Sequence, residues 1–350
     1  MRWDIFCRVI DNYGDAGVCW RLARALDHAG EQVRLWIDEP LVLDQLEPAV
    51  ARSPIEICPW PTDSQTFTAP DVADVVIEAF ACDPPAGYVT AMADLAQTGR
   101  APVWINLEYL SAEDWIGSHH KMPSPHPRYP LVKHFYFPGF TPDSGGLVRE
   151  SHISSDPETP ATCSPLRIFL FGYHQPALPG WISAQRNAVL AVAPGPLAKQ
   201  MAALSAAIPE GCQIEWLPFV PQSTFDAVLQ ANDLLFVRGE DSFVRAQWAA
   251  KPVFWQIYPQ ADDAHLAKLS AFYERYLDPE ILDSQRRSCF MRFILAWNGL
   301  ADPAACSLLW PEILDLLPLL QQNALVWREK LLQQADLVSQ LRAFVADLVK

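Results

Sequence analysis

Residues 74–80 (Asp-Val-Val-Ile-Glu-Ala-Phe) and 102–107 (Pro-Val-Trp-Ile-Asn-Leu) are short runs with apolar side chains at nearly every position. A strand of that kind has no polar face to leave in water, so both faces need cover, which parallel sheets with helices above and below supply. An α/β fold is therefore predicted. The opening of the chain agrees. An apolar run at residues 3–10 leads into residues 18–29, where Val18, Leu22, Ala23 and Leu26 recur at three- and four-residue steps before Gly30 closes the helix. With a second strand at residues 32–37, these residues make a βαβ-like unit.

The strand-to-helix turn of that unit is Asp11-Asn12-Tyr13-Gly14-Asp15-Ala16-Gly17. In open α/β sheets ligands bind beyond the carboxyl ends of strands, so Asp11 and Asp15 stand where chemistry is expected. The position suits a structural duty equally well. Asp commonly bonds backbone N–H groups in turns, and Asp15 is placed to cap the helix. The runs at 74–80 and 102–107 also end in polar residues, including Glu78, Asn106, Glu108 and Tyr109, on loops expected to face the same cleft.

At 350 residues the chain suits two domains of about 150–175 residues each. Ser, Thr and Pro concentrate at residues 157–165, a composition that marks an interdomain linker. Beyond it, strands are expected at 167–172, 188–193, 213–217, 233–237 and 253–257, with helices at 197–207, 222–230 and 242–249 between them. That is a second doubly wound unit. The domains are accordingly drawn at 1–158 and 159–330. Leu325, Leu331, Leu332, Leu337, Leu341, Phe344 and Leu348 give residues 323–350 the pattern of one amphipathic helix, whose part at 331–350 is expected to pack on the N-terminal domain.

Several function classes drop out on composition. A net charge of −15 opposes a nonspecific grip on nucleic-acid phosphates, which needs clustered Lys and Arg. The eight cysteines contain no Cys-x-x-Cys pair and read as reduced cytoplasmic thiols. Asp4, Arg8, Asp11 and Asp15 interrupt any leader-like apolar core, and no apolar run reaches membrane-spanning length, so a cytoplasmic protein without a membrane partner is expected. His119-His120 have no third ligand at a recognisable spacing, so no metal is expected. Residues 108–142 thread aromatics and histidines through prolines. So long an irregular segment either covers the edge of a core or binds something, and a protein partner is the sharper reading.

Residues 233–248 (Asp-Leu-Leu-Phe-Val-Arg-Gly-Glu-Asp-Ser-Phe-Val-Arg-Ala-Gln-Trp) form a second constellation, in which a buried strand runs into a sharp turn and then a helix. Gly239 permits the turn, and Asp241 or Ser242 is placed to cap the helix. The helix end, with Arg238 beside it, suits a phosphate or diphosphate. Glu240 would repel such an anion and is expected to face a sugar hydroxyl or a cation.

Four stretches together closely resemble the EarP family of arginine rhamnosyltransferases, which modify bacterial elongation factor P. They are the run from Asp11 to Arg24, Glu108-Tyr109-Leu110-Ser111-Ala112-Glu113-Asp114-Trp115, Phe137-Pro138-Gly139-Phe140-Thr141, and Arg238-Gly239-Glu240-Asp241-Ser242. The resemblance runs in order over essentially the whole chain. It implies a GT-B glycosyltransferase, two Rossmann-like domains facing across a cleft, which transfers L-rhamnose from dTDP-β-L-rhamnose to one arginine of elongation factor P with inversion. It implies no cofactor. By the same resemblance Asp11, Asp15 and Glu240 fall on catalytic positions. Phe171, Tyr173, Phe219, Gln222, Arg238, Asp241, Ser242 and Tyr258 fall on donor-binding positions, and Tyr13, Gly14 and Gly17 of the first turn are counted with them.

An arginine acceptor explains why two acids would be wanted. Guanidinium holds its proton beyond pH ~12 and delocalises its lone pairs, so it is a poor nucleophile. Two carboxylates can pin it by charge-assisted bonds, turn one nitrogen towards the anomeric carbon and take its proton. Asp15 is assigned as base and Asp11 as orienting partner. No Asp-x-Asp metal motif accompanies them, which suits a metal-independent enzyme. A nucleotide-dependent oxidoreductase is disfavoured because the first loop lacks Gly-x-Gly-x-x-Gly. A non-catalytic nucleotide-sugar-binding protein that docks a translation factor would leave the paired acids unexplained.

Overall fold

The computed structural model describes residues 1–11, 13–62, 64–153, 164–259 and 264–349; the expected linker, except Ser164 and Pro165, and the boundary at 158/159 lie outside the described residues. The chain forms two compact units, Met1–His152 with Gln334–Lys350, and Ile153–Gln333.

The first unit runs β1 (Arg2–Cys7), α1 (Gly14–His28), β2 (Gln32–Ile37), α2 (Leu41–Leu46), β3 (Glu56–Pro59), β4 (Val75–Ala79), α3 (Ala86–Gln97), β5 (Val103–Leu107), α4 (Ile116–His119), β6 (Pro123–Pro125) and β7 (Val132–Tyr136). Its seven strands are ordered β3-β2-β1-β4-β5-β7-β6, and only the β6–β7 pairing is antiparallel. Alternate residues feed two cores. Along β1, Ile5 and Cys7 join Cys19, Leu22 and Leu26 of α1, whereas Phe6 joins Tyr88 and Met92 of α3. β4 repeats the division, with Val75 and Ile77 on one side and Val76 on the other. Because both sides are buried, polar residues are unwelcome on either, and the run reads as continuously apolar.

Three details differ from expectation. β1 stops at Cys7, and Ile10, read as part of the strand, is 72% exposed. α1 begins at Gly14, four residues before the apolar period starts, because Gly14, Asp15 and Gly17 carry no hydrophobic signal. Residues 108–142 also contain order that their prolines hid. Pro123 and Pro125 lie in β6, an edge strand, where a missing N–H is tolerated, and Val132–Tyr136 extends the parallel sheet as β7.

The second unit runs β8 (Leu166–Leu170), α5 (Leu178–Ser183), β9 (Ala188–Val192), α6 (Pro196–Ala203), β10 (Gln213–Trp216), α7 (Gln222–Gln230), β11 (Leu234–Arg238), α8 (Asp241–Trp248), β12 (Val253–Gln256) and four further helices, α9 (Ala264–Tyr276), α10 (Ser284–Trp297), α11 (Ala304–Asp315) and α12 (Leu317–Leu332). Its sheet, β10-β9-β8-β11-β12, is parallel throughout. An aromatic core sits against β11, where the Phe236 ring lies 4.4 Å from Phe254, 4.7 Å from Trp297 and 5.2 Å from Trp181.

The expected single terminal helix is in fact two. α12 ends at Leu332, and α13 (Leu337–Leu348) starts afresh on Asp336, whose side chain accepts from Ser339 N at 3.0 Å. A capping Asp thus overrides a leucine spacing that fits one long helix. α13 belongs to the first unit, and its Leu337, Val338, Leu341 and Val345 are buried in the same core as Ile5 and Leu22. Among the described residues no single helix is long and apolar enough to cross a membrane.

Candidate active site

Parallel order brings the carboxyl ends of β1, β4 and β5 to one end of the first sheet. The turn after β1 is built around Asp15, which is 4% exposed. Its Oδ2 accepts from Ile10 N at 2.8 Å and Asp11 N at 2.9 Å, tying the helix back onto the loop before it. It does not cap α1, which follows Tyr13 without a side-chain cap, because its carboxylate reaches amides upstream of the helix instead. Burial pushes the Asp15 carboxyl above the ordinary carboxylate range; the two backbone N–H bonds oppose the rise, and the charges of Asp11 and Asp38 add to it.

Asp11 lies partly exposed over Gly14, where an added Cβ would meet its Oδ2 at 3.0 Å. Gly14 N donates to Asp11 O at 2.6 Å, and Gly17 N donates to Tyr13 O at 2.8 Å. Tyr13 bonds Gln45 through its hydroxyl, and Gly17 is buried inside α1. The two acids thus differ in surroundings, one dry and pinned, the other in contact with water.

A supporting network lies at the ends of β4 and β5. Asn106 Oδ1 accepts from Ala81 N at 3.1 Å while its Nδ2 donates to Glu108 at 2.6 Å, and the Phe80 and Tyr109 rings stack at 4.3 Å. Buried Glu78 accepts from Lys133 Nζ at 2.5 Å and Trp104 Nε1 at 3.1 Å. His119 and His120 go separate ways. His119 Nδ1 lies 2.9 Å from Ser118 Oγ, and His120 Nδ1 accepts from Phe137 N at 3.2 Å. Burial lowers His120 to about 4, so the ring stays neutral. Among the described residues no group of three or more His, Cys, Asp or Glu is placed to hold a metal ion.

In the second unit the strand-to-helix turn after β11 gathers most of the expected donor residues. The Arg238 guanidinium lies 4.6 Å from the ring centres of both Phe171 and Tyr173. Gly239 takes φ +59°, and Glu240 occupies the position before α8. Neither Asp241 nor Ser242 caps this helix. Ser242 Oγ donates to Arg238 O at 2.6 Å and accepts from Arg238 N at 3.3 Å, clasping the turn, while Asp241 accepts from Gln222 Nε2 at 2.9 Å and faces Arg245 at 3.7 Å. Tyr173 packs edge-on against Tyr258, which is 44% exposed. Phe219 stands in the loop before α7, 46% exposed. The arrangement offers one fixed cation between two rings, exposed aromatic faces and a helix amino end, a set that can hold a nucleoside diphosphate.

Two supporting residues escaped the sequence reading. Gln256 ends β12 and accepts from Tyr173 N at 2.8 Å, fixing the loop that carries that ring. Gly172 admits the approach, since a Cβ there would meet Leu197 Cδ1 at 2.7 Å and Gln256 Oε1 at 2.8 Å. In sequence Gln256 stands out only as the polar residue that closes an apolar strand, with nothing local to name its partner.

The family model described as Elongation-Factor P (EF-P) rhamnosyltransferase EarP matches residues 3–346. The protein-arginine rhamnosyltransferase of Pseudomonas aeruginosa is 39% identical over an alignment that covers 99% of both chains. That of Shewanella oneidensis is 35% identical, covering 98% of this chain and 97% of its own. A solved structure concerned with EarP-mediated arginine glycosylation of translation elongation factor EF-P matches at TM-score 0.64 and 27% identity, with 99% of both chains covered. Acinetobacter baumannii MurG, at TM-score 0.54 and 13% identity, shares the fold alone. The architecture is GT-B, built from two Rossmann-like domains.

Proposed function

This chain belongs to the EarP family of protein-arginine rhamnosyltransferases, and on that premise we propose that it transfers L-rhamnose from dTDP-β-L-rhamnose to one arginine of elongation factor P in the cytoplasm, inverting the anomeric centre. The observation that carries the acceptor half is Asp15, a buried carboxyl held at the strand end by the Ile10 and Asp11 amides, and the burial that raises its affinity for a proton suits it to take one from a bound guanidinium. Asp11, a step closer to solvent, pairs with the same guanidinium and orients the attacking nitrogen.

The donor half rests on the turn after β11. Phe171 and Phe219 supply faces for the thymine, with Gln222 contacting the base. Arg238, Tyr258, Asp241 and Ser242 hold the diphosphate and ribose, and Tyr173 lies by the sugar. Tyr13, Gly14 and Gly17 complete the donor contacts from the first turn. Nitrogen attacks the anomeric carbon as the bond to the diphosphate oxygen breaks. Asp15 receives the nitrogen's proton, Glu240 supports the positive charge developing on the sugar, and Arg238 with the α8 amino end stabilises the departing dTDP. No metal is assigned a part.

Incubation with dTDP-β-L-rhamnose and elongation factor P, followed by intact mass measurement of the factor, tests this reading. The expected outcome is one added deoxyhexose. Unmodified factor beside unconsumed donor would refute it and favour a binding protein, and unmodified factor beside hydrolysed donor would refute the protein acceptor.

A further inference from the structure

A cavity of about 420 Å³ opens in the first unit between the carboxyl ends of β1 and β4, lined by Arg8, Ile10, Phe80, Ala81, Cys82 and Asp83. Its volume falls in the range of small-ligand sites. Ile10 connects it to the acidic turn, because the amide of that residue is one of the two held by Asp15.

The far wall is unusual backbone. Phe80, Ala81 and Asp83 adopt φ of +57°, +54° and +48°, values that non-glycine residues rarely take. Such conformations persist only where surroundings over-determine them, and they concentrate at functional positions. Here Phe80 N donates to Leu107 O at 2.7 Å, Ala81 N to Asn106 Oδ1 at 3.1 Å and Cys82 Sγ to Phe6 O at 3.2 Å, while the Phe80 ring stacks on Tyr109. The result is a rigid rim. It presents the Asp83 carboxylate to solvent, 86% exposed, with Lys133 Nζ 4.0 Å away. Across the cavity Arg8 is exposed, with its guanidinium posed 4.6 Å over the Trp60 ring.

One lining cation, an anion that already has Lys133 4.0 Å away, and a wall of mixed polar and apolar atoms do not suit a nucleoside diphosphate, which wants several positive partners turned to one point. They suit polypeptide, whose carbonyl oxygens and mixed side chains meet both charges. We propose that this cavity seats the acceptor protein's chain beside the modified arginine, with Arg8 bonding a carbonyl or carboxylate oxygen of that segment and Asp83 selecting a basic neighbour. This rests on the proposed function for the identity of the acceptor. It makes Arg8 and Asp83 specificity-determining residues for a protein substrate over free arginine.

Titration calorimetry of elongation factor P into the wild type, Arg8→Gln and Asp83→Lys tests it, with acceptor KM, kcat and dTDP affinity measured alongside. Both side chains are exposed, so folding should survive, and unchanged melting temperatures check this. Each variant should bind the factor about tenfold more weakly and raise its KM correspondingly, with kcat and dTDP affinity within about twofold of wild type. Factor binding equal to wild type in both variants would overturn the proposal, whether or not rhamnose is transferred. Weakened binding without any transfer by the wild type would keep the docking site and sink the proposed reaction instead.

Discussion

The turns after β1 and β11 are the same backbone device with opposite charge. Each lies at the carboxyl end of an inner strand of a parallel sheet, each feeds a helix that begins without a side-chain cap, and each is clasped by a side chain reaching back to earlier backbone. In the first, the clasp is a carboxylate, Asp15, gripping two N–H groups; in the second it is a hydroxyl, Ser242, bonded to both N and O of Arg238. A carboxylate only accepts, so that clasp leaves negative charge in the turn. A hydroxyl both donates and accepts, so the second clasp is neutral and the charge of the turn is left to Arg238. The fold therefore sets where the two turns lie, and the clasping residue decides which sign of charge each carries.

The comparison is broken most sharply at Asp15. Asp15→Asn keeps an oxygen for both amides but removes the proposed base, so turnover should fall by a factor of about 10²–10⁴ with dTDP affinity nearly unchanged. Normal turnover in a kinetic assay would leave the first clasp purely structural. Arg238→Ala should cost about 10²–10³ in turnover by weakening support of the leaving diphosphate, and should also weaken dTDP in a binding titration. If affinity fell but turnover at saturating donor did not, the second turn would bind without assisting departure.

A smaller loss is expected from Phe219→Ala, about 1–3 kcal/mol of dTDP affinity, by analogy with base–aromatic stacking. Unchanged affinity would put the thymine elsewhere. The gentlest probe is the melting temperature of Asp15→Asn across pH. A carboxyl raised in the fold contributes stability present below its unfolded value near pH ~3.9 and lost as pH climbs through the raised one. The Asn variant should thus melt at or above wild type at pH 7, with the gap closing towards pH 4. A wild type that gains on the variant as pH rises would reverse the sign assigned to the burial of Asp15.

Much of this molecule was legible because strands buried on both faces leave an unmistakable trace, and because turns rich in Asp, Gly, Arg and Ser stand out beside them. Illegible parts failed for specific reasons. The two glycines of the first turn concealed the start of α1, and prolines concealed an edge strand that could spare their amides. Leucine spacing ran past Asp336, whose capping bond depends on one side chain rather than on a period. The duty of Asp15 was open to either reading, since a turn shows that an Asp will accept from amides without showing whether those lie in the helix or before it. Gln256 bonds a residue far away in sequence, and no local pattern reports a partner 83 positions distant.

The placement of α13 bears on how the protein is made. Leu337, Val338, Leu341 and Val345 fill the core that β1 and α1 begin, so the first unit lacks part of its interior until α13 has left the ribosome. The second unit, contiguous from Ile153 to Gln333, emerges complete before that and can close by itself. Synthesis therefore completes the first domain after the second, and a nascent chain carries the acidic turn on an open-sided core until α13 emerges.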